Sequence, residues 1–236
     1  MIQTYCISIW AKPHESDIDE MADICYQVLS SLMEYSAELS PKYLPAMKKS
    51  NVKEFEFNRE NIVNLLNKNV NKSGKLVFLD LGRRIRFFSS LDDELSCGIS
   101  LCVGTSNPKF INSLVIDLPY GNFSGFNDRI IEFENLFKKL ISIFNPYFGF
   151  ISNSLNKQLS KTFWEDGKPT CVHWMNYYDK DTAEIIGIEK LTKMDNCEPL
   201  GNGYFLKLLD TPLNVENNEH LSIQHLTSAK LGLLEK

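Results

Sequence analysis

Four histidines and six cysteines are few enough to weigh one by one. His220 and His225 are five positions apart. On a helix that spacing sets them about 140° apart, so they do not converge on a metal as an i, i+4 pair would. His14 sits in the Pro13-His14-Glu15-Ser16 stretch and reads as a solvated loop residue. Cys171-Val172-His173 is the one thiol–imidazole pair whose spacing carries chemistry. In a strand, residues two apart share a face, and an imidazole beside a thiol can draw off its proton to make a nucleophile. The plainer reading is a packed core pair. Cys97 and Cys102, five apart in an extended segment, fall on opposite faces, and the sequence holds no CxxC.

Phosphate-cradling motifs are absent. Gly201-Asn202-Gly203 lacks the third glycine of a dinucleotide fingerprint and leads into a strand, so it reads as a hairpin turn. There is no P-loop and no Gly-x-Ser-x-Gly. Arg83-Arg84-Ile85-Arg86 alternates within a strand and lacks the aromatic platform of an RNA-binding sheet. It reads as a solvated edge strand. These observations leave no catalytic, cofactor or metal constellation beyond Cys171 and His173, and the expectation is a protein that is not an enzyme. Two stretches have the character of a binding surface instead. Asp92-Asp93-Glu94 puts three negative charges on one loop, and Trp164-Glu165-Asp166 sets an aromatic beside two acids. Loops carry recognition, and aromatics supply interface anchors. Asp92, Asp93, Glu94, Trp164, Glu165 and Asp166 are therefore the candidate partner-binding residues.

The elements that must position these residues follow from periodicity. Tyr5 to Ala11 reads as a first strand, ended by Pro13. Ser16 is a candidate N-cap for a helix with apolar or small residues at Ile18, Met21, Ala22, Cys25, Val28, Leu29, Leu32, Met33, Ser36 and Leu39. Ser40-Pro41 stops it. Asn58 can cap a short helix over Ile62, Val63, Leu65 and Leu66, and Asn67 to Gly74 reads as turn. Lys75 to Leu81 and Arg84 to Phe88 read as two strands joined through Gly82-Arg83. Cys97 to Val103 and Ser113 to Leu118 are further strands, and Tyr120 to Asn127 is a loop.

A second amphipathic helix runs from about Asp128 to Phe144. Pro146 to Ile151 and the aromatic run Thr170 to Tyr178 then give a central strand region with bulky groups on both faces. Glu184 to Ile188 and Glu189 to Met194 read as short strands, Tyr204 to Leu209 as another, and about 219–231 as a last helix capped by Asn217 or Asn218. Short connections favour antiparallel pairing. The expectation is an α+β fold, a single domain over 1–236: a mainly antiparallel sheet with two long amphipathic helices and a C-terminal helix packed on it.

Composition bounds the partners. At 236 residues, 43% hydrophobic and 23% charged, the chain has the makeup of a globular protein with a sizeable core. A net charge of −5 gives no support for direct nucleic-acid binding. No apolar run approaches the ~20 residues of a membrane span. Met1-Ile2-Gln3-Thr4-Tyr5 lacks the basic region of a signal peptide, and the scattered cysteines read as reduced core residues of a cytoplasmic protein.

The order of pieces resembles the immunity protein 52 family of bacterial polymorphic-toxin and type VI secretion systems. The resemblance lies in the first strand ending at Trp10, the Asn112 to Leu118 strand followed by Pro119, and Asn145-Pro146-Tyr147-Phe148-Gly149-Phe150-Ile151-Ser152 after the helix. It continues in Val172-His173-Trp174-Met175-Asn176-Tyr177, in Gly203-Tyr204-Phe205-Leu206 with Thr211-Pro212-Leu213, and in the C-terminal helix. These are patterns of aromatics, glycines and prolines, with no catalytic signature. The resemblance implies a cytoplasmic antitoxin that binds a cognate effector toxin, often a nuclease, and blocks it stoichiometrically. An inhibitor covering a basic nuclease groove would present acids around an aromatic anchor, in keeping with the acidic loops. Two other readings stay open: a small cytoplasmic enzyme with a Cys171/His173 centre, and a non-catalytic scaffold protein that assembles through its aromatics.

Overall fold

The structure, a computed structural model, describes residues 4–119, 129–159, 164, 165 and 167–233. The expected 120–127 loop and Asp166 lie outside the described residues. The α+β class and the antiparallel sheet are as expected. By contacts the chain divides into two compact units, Ser8–Asn145 and Met1–Ile7 with Pro146–Lys236. The first strand, β1 (Tyr5–Ala11), contributes residues to both.

In the Ser8–Asn145 unit, α1 (Ile18–Tyr35) opens on a capping box. Asp17, one residue after the expected Ser16, accepts hydrogen bonds from the backbone of Asp19 and Glu20, while the Glu20 carboxylate accepts one from the Asp17 N–H. Asp17 prevails because Glu20 stands at the reciprocal position three residues on. Met21, Ala22, Cys25, Val28, Leu29 and Leu32 are buried along one face. Ser36 ends the helix and caps a single 3-10 turn, Ala37–Leu39. The short strands β2 (Tyr43–Leu44) and β3 (Lys53–Glu54) pair with each other. Asn58 caps α2 (Arg59–Lys68), as expected, through the Asn61 N–H at 2.7 Å. Arg59 ties α2 to α1 by ion pairs to Asp19 and Asp23 at 2.8 and 2.7 Å.

The stretch expected to be turn, Asn67 to Gly74, contains β4 (Val70–Ser73). It forms a hairpin with β5 (Leu76–Phe88), one 13-residue strand where two were expected. Gly82 does take the left-handed φ of +68° anticipated for a turn, yet the strand continues through it. A Cβ there would lie 2.7 Å from the Val103 carbonyl oxygen, so the irregularity is a close backbone approach that glycine permits. β5 is no edge strand, which corrects the reading of the arginine run: β6 (Gly98–Thr105) pairs along it on one side, and β4 and β2 on the other. β7 (Asn112–Asp117) follows β6, giving the order β1-β7-β6-β5-β2-β3 within this unit. Asn112 closes the β6–β7 connection: its Oδ1 accepts from the Thr105 N–H and its Nδ2 donates to the Lys12 carbonyl. α3 (Ile130–Phe144) buries Phe133, Leu136, Phe137, Leu140, Ile141 and Phe144. It joins α1 through Lys139–Glu34 at 2.8 Å and the Arg129 guanidinium over the Tyr35 ring.

In the other unit, β8 (Phe148–Asn153) leads into the short α4 (Ser154–Leu159). β9 (Trp164–Glu165) and β10 (Lys168–Pro169) pair with each other. The aromatic run forms a strand only from Met175, as β11 (Met175–Asp179), which lies between β8 and a later strand and is buried throughout. Asp179 ends β11 and caps α5 (Lys180–Ile186), its carboxylate accepting the Thr182 N–H at 2.8 Å. α6 (Ile188–Leu191) follows, so the two short strands expected over 184–194 are helical. The cap at Asp179 outweighs the β-branched composition that suggested strands. β12 (Cys197–Leu200) and β13 (Gly203–Lys207) form the expected hairpin, giving the order β12-β13-β11-β8-β1. α7 (Asn218–Leu231) is capped by Asn217 and closed by Gly232 at φ +69°. Among the described residues no helix is long and apolar enough to cross a membrane.

Candidate functional site

The acidic loop is where the sequence placed it. Asp92, Asp93 and Glu94 are exposed on the turn between β5 and β6. The Asp92 carboxylate accepts the Glu94 N–H at 3.0 Å, and the Leu95 N–H bonds the Asp92 carbonyl at 3.2 Å, so the turn holds its own shape. The sequence reading passed over its two neighbours. Leu91 and Leu95 bracket the acids and are 51% and 62% exposed. The loop is thus three exposed carboxylates framed by two exposed leucines. Leucine inside an acidic turn was the signal available.

Trp164 is half-buried, its ring 5.1 Å from that of Tyr147 and 5.3 Å from that of Phe148. It is tied into an aromatic cluster on β8. Glu165 follows it in β9 and pairs through its backbone with Lys168. The loop Asp92–Glu94 and the pair Trp164–Glu165 belong to different units.

Cys171 and His173 do meet. The Cys171 Sγ lies 3.9 Å from His173 Nε2, and His173 Nδ1 is 3.1 Å from the Ser152 hydroxyl. That hydroxyl also lies within donating distance of the Asn153 carbonyl, at 3.2 Å, and an imidazole carrying its proton on Nδ1 would present the Nε2 lone pair to the thiol. The imidazole is 1% exposed and stacks on Phe150 with ring centroids 4.2 Å apart.

The reason Cys171 to Trp174 is not strand is also the reason the pair is held. Val172 gives its N–H to the Ser228 hydroxyl and its carbonyl to the Gln224 amide, two α7 residues one turn apart. The His173 N–H and carbonyl are both taken by the Asn176 side chain, at 2.8 and 2.9 Å. Side chains replace the strand ladder and leave Cys171 and His173 in a fixed bend. Beside them, burial drives the Tyr178 hydroxyl well above its usual range, with Cys171 and Cys197 contributing, and that hydroxyl has no hydrogen-bond partner. Burial also pushes the Cys197 thiol up to about 11, with Glu198 adding to the shift.

The remaining histidines are structural or solvated. His220 Nδ1 accepts the Asn214 N–H at 3.1 Å, His225 is exposed, and His14 is exposed near the Lys12 carbonyl. Among the described residues no three His, Cys, Asp or Glu side chains cluster to hold a metal ion.

No protein-family model and no curated protein matches this sequence. Among solved structures the fold is similar to that of a protein described as Pseudomonas aeruginosa T6SS protein PA0821. The TM-score is 0.69 at 11% identity, covering 99% of this chain and 73% of that one. At that identity the likeness is one of fold.

Proposed function

We propose that this chain is an immunity protein of a type VI secretion system, a cytoplasmic antitoxin that binds one cognate effector and blocks it without catalysis. The observation that carries the reading is the fold likeness along nearly the whole chain to a protein described as belonging to that system. The five-residue turn Leu91–Leu95 is the contact surface favoured here: its carboxylates steer a basic effector, and its exposed leucines supply the apolar area that steering alone lacks. A nuclease is the effector class this surface suits, because nuclease grooves are basic. The test is growth of a bacterial host expressing the product of the adjacent gene, with and without this chain. Rescue by this chain, weakened when Asp92, Asp93 and Glu94 are changed together to Lys, is the expected result. Poisoning that the wild-type chain does not relieve overturns the antitoxin role.

One observation favours a second reading. The 3.9 Å Cys171–His173 pair, with Ser152 fixing the ring, has the layout of an activated thiol. In that case iodoacetamide alkylates Cys171 in the native protein far faster than the other cysteines, and His173→Ala removes the difference. Uniform slow labelling of all six thiols eliminates it.

A further inference from the structure

Arg84 and Arg86 are two apart in β5, so they share a face, and both are exposed. With Ile85 between them and Leu44, Pro45, Leu65 and Asn69 opposite, they line a cavity of about 290 Å³. All seven belong to the Ser8–Asn145 unit. Among the described residues no carboxylate forms an ion pair with Arg84 or Arg86; the polar neighbour of Arg84 is the Cys102 thiol, directly across from it on β6. The α2 end that borders the cavity does not occupy the guanidiniums either. Its Leu65 carbonyl already accepts both the backbone N–H and the side-chain amide of Asn69, at 3.0 and 2.9 Å.

Two guanidinium groups along about 6.5 Å of strand, with an apolar wall of leucine and proline, set the chemistry of an occupant. Guanidinium groups pair in plane with carboxylates, often through two hydrogen bonds, and are weakly hydrated enough to do so beside apolar surface. Leu44, Pro45 and Leu65 would cover a short aliphatic body attached to that anion. We propose that this cavity is a binding site for an aliphatic carboxylate, either the terminal residue of a peptide chain or a free short-chain acid.

The site stands whether or not the chain is an antitoxin, and the experiment uses the full chain alone. Titration with N-acetylleucine and with hexanoate is followed by NMR chemical shifts. The expected result is saturable binding in the millimolar range, with shifts centred on Leu44, Leu65, Arg84 and Arg86. Tighter binding of N-acetylleucine marks a peptide end as the natural occupant, and tighter binding of hexanoate marks a free acid; either supports the site. N-acetylleucinamide, which lacks the charge, should bind at least tenfold more weakly, and Arg86→Ala should weaken N-acetylleucine by a similar factor while leaving the thermal midpoint unchanged. Equal binding of acid and amide, an Arg86→Ala variant that binds like wild type, or inorganic phosphate binding as tightly as the carboxylates would each overturn the proposal. Arg84→Ala is the second variant if Arg86→Ala shifts the thermal midpoint.

Discussion

Gln224 and Ser228 hold the backbone of a single residue, Val172, and through it the bend that carries Cys171 and His173. All the groups involved are buried, so removing one partner strands a donor or acceptor away from water. Gln224→Ala is expected to cost about 1–3 kcal/mol in urea unfolding and to raise the iodoacetamide reactivity of Cys171 as the bend loosens. A loss below about 0.5 kcal/mol would mean that water replaces the amide. Neither interaction was legible beforehand. Periodicity reports on neighbours in sequence, whereas Val172 is satisfied from 52 and 56 positions away, so an aromatic, β-branched run read as one long strand.

The titrating groups also give a prediction at this scale. Burial raises Cys197 from 9.0 to about 11, and burial together with Asp179 raises Tyr177 from 10.0 to about 12. The folded state therefore keeps protons that the unfolded chain gives up. That stability is fully present below about pH 9 and is lost progressively as pH rises through about 11 and 12. Urea midpoints measured from pH 8 to 11 should fall; a flat profile over that window would contradict the burial of these groups.

Helices announced themselves where caps and periodicity agreed. α1 and α3 were legible because apolar spacing and acidic first turns agreed, although α1 stops at Tyr35, ahead of the Ser40-Pro41 expected to end it, because Ser36 turns extended and caps the 3-10 turn that follows. α5 was missed because seven residues hold too few turns for a period to stand out against Ile185 and Ile186. The β5 error has a different cause. Gly82 does adopt the backbone of a turn residue, but the pairing with β6 resumes on both sides of it, at Leu81 with Thr105 and Arg83 with Val103. Gly82→Ala must place a Cβ against the Val103 carbonyl at an unfavourable φ, and is expected to destabilise by about 2 kcal/mol or more. Asp17→Ala removes the α1 capping box and should cost about 1 kcal/mol, with little change in the near-ultraviolet spectrum of the sheet aromatics. Equal losses for Asp17→Ala and Ser16→Ala would restore Ser16 as the cap.

At the scale of the whole molecule, the antitoxin proposal rests on a surface, the exposed turn between β5 and β6. The acidic turn was legible as a charge cluster, but its leucines gained meaning only once they were found exposed. Trp164, taken from the sequence as an anchor, is bound up with Tyr147 and Phe148 and contributes to that unit's aromatic cluster. The antitoxin account therefore concentrates recognition on Leu91 to Leu95. Charge reversal there should slow association several-fold at low salt and matter less at high salt, because screening shortens the reach of the field. Leu91→Ala with Leu95→Ala should instead speed dissociation.

The most direct measurement titrates a purified toxin, the product of the adjacent gene if it poisons the host, with this chain while following both heat and the toxin's own activity. The account predicts a 1:1 complex and toxin activity that falls linearly to zero at one equivalent. Binding that leaves the activity intact at several-fold excess, or no heat of binding at micromolar concentrations, would contradict it.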